Sequence, residues 1–314
     1  MNSTTIYTHP ACLAHDPGPH HPESPARLQA VLQALQSPAF AGLQWHDAPA
    51  GTVEQLLRVH TASYVDEVQA AAPSKGYRAL DGGDTIMSPG TLEAVMRCVG
   101  AACASVDDVV AGNTNNAFCA TRPCGHHAEA DRAMGFCVFN QAAIAALHAR
   151  HAHGLQRLAV VDFDVHHGNG TQNSFYDDPE LFYGSSHQAP FYPGTGAAQE
   201  AGVAGNIVNI PLARGCNSAT FRAKFTAQML PALRRFAPEL LIISAGFDAH
   251  HLDPLGGLGF TDEDFHWVTR ELMAVADVSA AGRVVSILEG GYSLEGLASG
   301  TRAHVQALMG LPHA

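Results

Sequence analysis

The chain has 314 residues, 46% hydrophobic and 15% charged, a balance that suits a large buried core and excludes intrinsic disorder. Seventeen Lys and Arg against 29 Asp and Glu give a net charge of −12 with no basic run, so no nucleic acid is expected as substrate. The absence of a basic-then-apolar leader, of a membrane-length apolar run and of any Cys-x-x-Cys among seven cysteines predicts no membrane association, no disulfide framework and a reducing cytoplasm.

Eight short apolar segments predict strands at 4–8, 43–47, 117–122, 157–164, 181–186, 206–212, 239–247 and 283–289. Between most of them lie helical patterns at 25–36, 61–71, 89–111, 137–152, 217–236, 262–281 and 293–309. Strand alternating with helix predicts an α/β fold, one domain over 1–314 with a parallel sheet flanked by helices on both faces. Connections 9–24, 73–90, 122–136, 187–205 and 248–261 are long and rich in Gly, Pro, His and Asp, and four of the five follow a predicted strand. Ligands in such sheets bind outside the carboxyl ends of the strands.

The strand at 157–164 runs into Asp162-Phe-Asp164-Val-His166-His167-Gly168-Asn169-Gly170. In extended chain Asp164 and His166 project to one side, half of a divalent-metal site. The strand at 239–247 ends in Phe247-Asp248, which offers a third ligand from another strand end. Three protein ligands and an open position is the pattern of a catalytic zinc. In Cys124-Gly125-His126-His127-Ala128-Glu129 the adjacent imidazoles suit proton transfer to and from an attacking water. Asp162 and Asn169 are available to orient their ring nitrogens. After Glu289, Gly290 and Gly291 free the backbone for a close approach, and the Tyr292 phenol suits donation to an oxyanion.

Pro-x-Gly-His-His-Ala (123–128), Gly-Phe-Cys (135–137), Asp-x-Asp-x-His-His-Gly-Asn-Gly (162–170), Pro-Gly-Thr-Gly (193–196), Gly-Phe-Asp-x-His (246–250) and Glu-Gly-Gly-Tyr (289–292) occur in that order. The chain resembles the histone deacetylase branch of the arginase/deacetylase superfamily, most closely class II enzymes and bacterial amidohydrolases, from about Thr8 to the last predicted helix. The resemblance implies the three-layer arginase/deacetylase fold with about eight parallel strands, and Zn²⁺ on Asp164, His166 and Asp248. His127 would then be general base and acid, His126 its electrostatic partner and Tyr292 the oxyanion donor. Asp162 would orient His126, and Asn169, an aspartate in class I, would face His127. Phe136, Tyr192 and Gly290 would line the substrate channel, with Tyr192 where the family usually has Phe. A structural K⁺ is implied at Asp162, Asp164, His166, Ser185 and Ser186. Arginase-like enzymes place bridging carboxylates where this chain has Gly168 and His250, so one divalent metal is expected.

Polyamine deacetylases of the family carry an acidic residue where this chain has Leu255, which favours an acyl-lysine peptide or protein, or a neutral small amide, over acetylpolyamine. Asp84 resembles the rim aspartate that gathers peptide backbone. Three readings stay open: an acyl-lysine deacetylase, a hydrolase of acetylpolyamine or another small amide, and a catalytically silent acyl-lysine binding module. Fe²⁺ in place of Zn²⁺, the acyl chain length and homo-oligomerisation are left open as well.

Overall fold

A computed structural model describes residues 3–313. The chain begins β1 (Thr4–Thr8), α1 (Ala11–Ala14), α2 (Pro25–Ala34), β2 (Gln44–Asp47), α3 (Val53–Leu56) and α4 (Ala62–Ala71). It continues β3 (Arg78–Ala79), β4 (Ile86–Met87), α5 (Thr91–Ala111), β5 (Asn116–Cys119), α6 (Gln141–His153), β6 (Leu158–Asp162) and α7 (Asn169–Phe175). The remainder is β7 (Leu181–Gln188), β8 (Ile207–Leu212), α8 (Ser218–Lys224), α9 (Leu230–Phe236), β9 (Leu240–Ala245), α10 (Asp262–Ser279), β10 (Val284–Leu288) and α11 (Leu294–Leu308).

Eight strands form one sheet in the order β2-β1-β5-β10-β9-β6-β7-β8, and every pairing is parallel. The central strands β6, β9 and β10 are apolar on both faces, as a sheet covered twice requires. In β6, Ala159 and Val161 pack into one core and Leu158 and Val160 into the other; in β9, Leu241 and Ile243 oppose Leu240 and Ile242. Leu28 and Val31 of α2, Phe265 and Leu272 of α10 and Val305 and Leu308 of α11 belong to the first core. The second takes Ala101 and Val106 of α5 and Ala142, Ala145 and Ala146 of α6. This is the three-layer arrangement expected from the sequence.

The order of strands fixes where chemistry can sit. From β6 the chain moves outward through β7 and β8, returns to β9 on the other side of β6, and continues away to β10. Neighbouring strands whose onward connections diverge leave a crevice at their carboxyl ends. Asp162 lies opposite Ser244 at that point.

Several boundaries differ from expectation. The strand expected over 157–164 stops at Asp162, and that over 117–122 stops at Cys119. The helix expected over 217–236 contains a π-helical turn at Phe225–Met229. Pro231, at the start of α9, has no N–H for the preceding turn and its ring crowds a carbonyl there, so the spiral widens just upstream. The short α1, α3, α7 and the β3–β4 pair were not anticipated, because two to seven residues are too few to display a period. Among the described residues no helix is long and apolar enough to cross a membrane.

Candidate active site

Strand β6 ends because its own side chains capture the following backbone. Asp162 Oδ1 accepts from Asp164 N at 3.0 Å, and Asp164 Oδ1 accepts from His166 N at 2.9 Å. Such aspartate turns bend the chain. Asp164 and His166 therefore meet through two consecutive turns beyond the strand, not through the alternation of extended chain. Asp248 arrives from the end of β9, its Oδ1 accepting from Val165 N at 2.8 Å. His166 Nδ1 then faces both carboxylates, 3.0 Å from Asp164 Oδ1 and 3.2 Å from Asp248 Oδ2.

Among the described residues, three groups of side chains have ligand atoms close enough together to hold a metal. At Asp107, His148 and His153, Arg58 donates to His148 Nδ1, so Nε2 carries the proton and donates to Asp107 with no lone pair to offer. At Cys124, Cys137 and Glu289, the glutamate already accepts from Gly125 N, His126 N and Ser244 Oγ. At Asp164, His166 and Asp248 the situation is the reverse. Asp248 Oδ2 is buried with no hydrogen bond, and an orphaned carboxylate oxygen needs a cation. Burial and the Asp164 charge push Asp248 up to about 7. Burial opposes charge on His166 too, yet the two carboxylates outweigh it and hold the imidazole at about 10. The pocket selects positive charge, and two oxygens with one imidazole nitrogen suit zinc. A side chain at Gly290 would collide with both aspartates, whereas its bare N–H donates to Asp164 Oδ2 at 2.8 Å.

His126 and His127 lie beside this cluster with ring centroids 4.0 Å apart and ring planes tilted by 45°, both buried. Their environments push them in opposite directions. Burial disfavours charge on His126, but Asp162 at 2.9 Å, Asp164 and Glu289 outweigh it and hold the ring well above the ordinary histidine value. Burial, His126 and His166 together hold His127 well below it. His127 Nδ1 lies 2.8 Å from Asn169 Oδ1. One charged and one neutral imidazole side by side is an arrangement for separate acid–base tasks.

A cavity of ≈ 100 Å³ opens over the cluster, lined by Asp84, His127, Gly135, Phe136, His166, Tyr192, Leu255 and Tyr292. Every channel residue expected from the sequence lies there except Gly290, which sits beneath it against Asp164 and Asp248. Phe136 has a left-handed backbone, φ 69°, which costs a bulky residue about 1–3 kcal/mol. Thr85 Oγ1 accepts from its N–H at 3.1 Å and helps fix that conformation. Gly135, at φ 54°, cannot carry a side chain, because a Cβ would lie 2.5 Å from His127 Cδ2.

Sequence reasoning missed the residues that hold this assembly from behind. Arg27 is buried in α2 and donates to Gly291 O at 2.6 Å and Glu289 O at 2.5 Å, with its guanidinium over the Tyr292 ring. Glu23 receives Arg27 Nη1 at 3.0 Å and Arg122 Nε at 2.8 Å, with His15 Nε2 3.0 Å away. Asp253 accepts from Tyr292 N and Leu255 N, tying the phenol to the channel rim. His21 packs edge-on against Phe136 at 4.7 Å. The only sequence signal for these was their place in long loops or beside them.

The fold is the three-layer arginase/deacetylase architecture, with a side-chain group at its strand ends that could hold a metal ion, and comparison with known proteins identifies a family of hydrolases. The family model described as histone deacetylase domain matches residues 21–308. Histone deacetylase 14, chloroplastic, of Arabidopsis thaliana is 39% identical over 97% of this chain and 76% of its own length. The histone deacetylase-like amidohydrolase of Pseudomonas aeruginosa is 37% identical over 92% and 82%. The crystal structure of the HDA15 HD domain superposes with a TM-score of 0.93 at 34% identity, covering 100% of this chain and 90% of that one. The chain belongs to the histone deacetylase family, whose members act as deacetylases and amidohydrolases.

Proposed function

We propose that the protein removes acyl groups, acetyl first among them, from lysine side chains, with one Zn²⁺ held by Asp164, His166 and Asp248. The observation that carries this reading is the orphaned Asp248 Oδ2 beside His166 Nδ1 at the foot of a narrow aromatic cavity. When bound, the ion supplies Lewis acidity toward the acyl carbonyl and the attacking water. His127, neutral and buried, takes the water's proton and returns it to the departing amine. His126 keeps its charge beside it, oriented by Asp162. Tyr292 donates to the developing oxyanion. Phe136, Tyr192 and Leu255 accept a slender alkyl chain, and Asp84 stands exposed at the rim to meet peptide N–H groups. Leu255 offers no charge to a second ammonium, which disfavours acetylpolyamine.

A structural potassium ion is proposed at the same strand ends, on Asp162, Asp164, His166, Ser185 and Ser186. Asp162 pairs with Ser185 across β6 and β7, and the buried Ser186 Oγ has no hydrogen bond, with Asp164 and His166 adjacent. The cytoplasm is proposed as the compartment because all seven cysteines are free and buried.

The deciding experiment combines metal analysis with turnover of an acetyl-lysine peptide, an acetylpolyamine and an acyl anilide. One zinc per chain, loss of activity on chelation, recovery with one equivalent of zinc and preference for the peptide are expected. A zinc-loaded protein that hydrolyses none of the three would overturn the reading in favour of a binding module. Tyr292→Phe is expected to lower kcat by about 10²–10³ while zinc stoichiometry stays at one. Near-normal turnover in that variant would remove the oxyanion role.

A further inference from the structure

Asn169 is the first residue of α7, and an amide facing an imidazole can present either its oxygen or its nitrogen. The two choices have opposite consequences. If Oδ1 faces His127 Nδ1, that nitrogen must donate and Nε2 keeps its lone pair. If Nδ2 faces it, the proton moves to Nε2 and the ring cannot act as a base from the cavity side. The other end of the amide settles the choice. Asn169 Nδ2 lies 2.7 Å from Glu129 Oε1, 3.3 Å from His127 O and 3.4 Å from the Met134 sulfur, all acceptors. Turning the amide over would press its oxygen against the Glu129 carboxylate.

Glu129 is itself firmly placed. Its carbonyl faces His60 Nδ1 at 2.9 Å, and His60 Nε2 accepts from Asn140 N, so Nδ1 is the donor. Its N–H donates to Arg132 O, and its carboxylate pairs with Arg132 Nη2 at 2.9 Å. The side chain is 17% exposed.

We propose that Glu129 is a positioning residue for the general base. Acting through Asn169, it fixes the tautomer of His127 so that Nε2 is free to take a proton. The carboxylate stands one residue away from the imidazole, and the neutral amide transmits direction without placing a negative charge on the ring. This rests on the role given to His127 above, but the tautomer measurement that tests it needs no substrate.

The test is ¹⁵N NMR of histidine-labelled, zinc-loaded protein together with acetyl-lysine peptide kinetics. In the wild type His127 shows a protonated Nδ1 and an unprotonated Nε2. In Glu129→Ala the two resonances move toward each other as both tautomers populate, and kcat falls by about 10–100-fold with KM unchanged. Asn169→Asp alone sets two carboxylates face to face and loses activity. The swapped pair Glu129→Gln with Asn169→Asp reverses the donor and acceptor at the far end, keeps an oxygen toward Nδ1, and recovers activity relative to Asn169→Asp. An unchanged tautomer in Glu129→Ala overturns the proposal, as does a swapped pair no more active than the single Asn169→Asp variant. If the wild type turns over no amide, the functional reading fails while the tautomer measurement still decides the role of Glu129.

Discussion

His127→Ala is expected to lower kcat on an acetyl-lysine peptide by about 10²–10⁴, the range for losing a positioned general acid–base group, with one zinc still bound per chain. The ring touches substrate space from the wall of the cavity, and the other imidazole that lines it, His166, is held charged by Asp164 and Asp248. His126 cannot substitute, because Asp162, Asp164 and Glu289 keep it protonated against the cost of burial. The same electrostatics fixes the pH profile. A base held well below 6.5 is neutral at and above that pH and becomes protonated only further down. The acidic limb of kcat/KM is therefore expected to fall below the ordinary histidine range, with activity sustained as pH drops through 6.5. A loss under tenfold in His127→Ala, measured by steady-state kinetics with metal content checked, would assign the proton transfer elsewhere.

Glu23→Ala is expected to cost about 3–5 kcal/mol of stability, because it strands two buried guanidinium groups. Arg27 and Arg122 are almost wholly inaccessible and share this one carboxylate. Burial alone would raise Glu23, but Arg122, His15 and Arg27 outweigh it and hold it well below its ordinary value of 4.5. A carboxyl depressed on folding contributes stability above its unfolded value and loses it as pH falls toward the folded one. The Glu23→Ala penalty should thus be full at neutral pH and shrink in acid beneath 4.5. Urea unfolding at pH 7 and at acid pH measures both. A penalty below about 1 kcal/mol at pH 7 would show that the arginines find other partners. Activity should fall too, since Arg27 holds the carbonyls of Glu289 and Gly291 on either side of Gly290.

The two halves of this chemistry were unequally legible. Asp164, His166, Asp248 and the His126–His127 pair announce themselves, because each stands where an apolar run breaks into polar residues, and that break survives errors of a few residues in the strand boundary. Even so, the geometry that joins Asp164 to His166 was misjudged: aspartate turns bring them together where extended chain had been expected. Glu23, Arg27, Arg122 and Asp253 left no such mark. Each is a charged residue in a loop or on a helix, which in sequence looks like solvated surface, and only tertiary structure shows that they are buried against one another. Glu129 was visible as a letter in the His126–Glu129 run, but its task depends on a hydrogen bond to a residue 40 positions away. Helix α7, which presents that residue, is seven residues long and has no readable period.

The place of β10 in the sheet has a consequence for how the molecule comes together. The last strand in the chain pairs with β5 on one side and β9 on the other, so it is the sole bridge between a three-strand piece and a four-strand piece. Until it is in place, two bare strand edges face each other across the centre of the sheet, the situation that invites pairing with foreign chains. Gly290 and Tyr292 enter on the residues that follow it. The closure of the scaffold and the completion of the reaction centre thus depend on the seating of one strand, so the chain has chemical competence only when its structural keystone is in place.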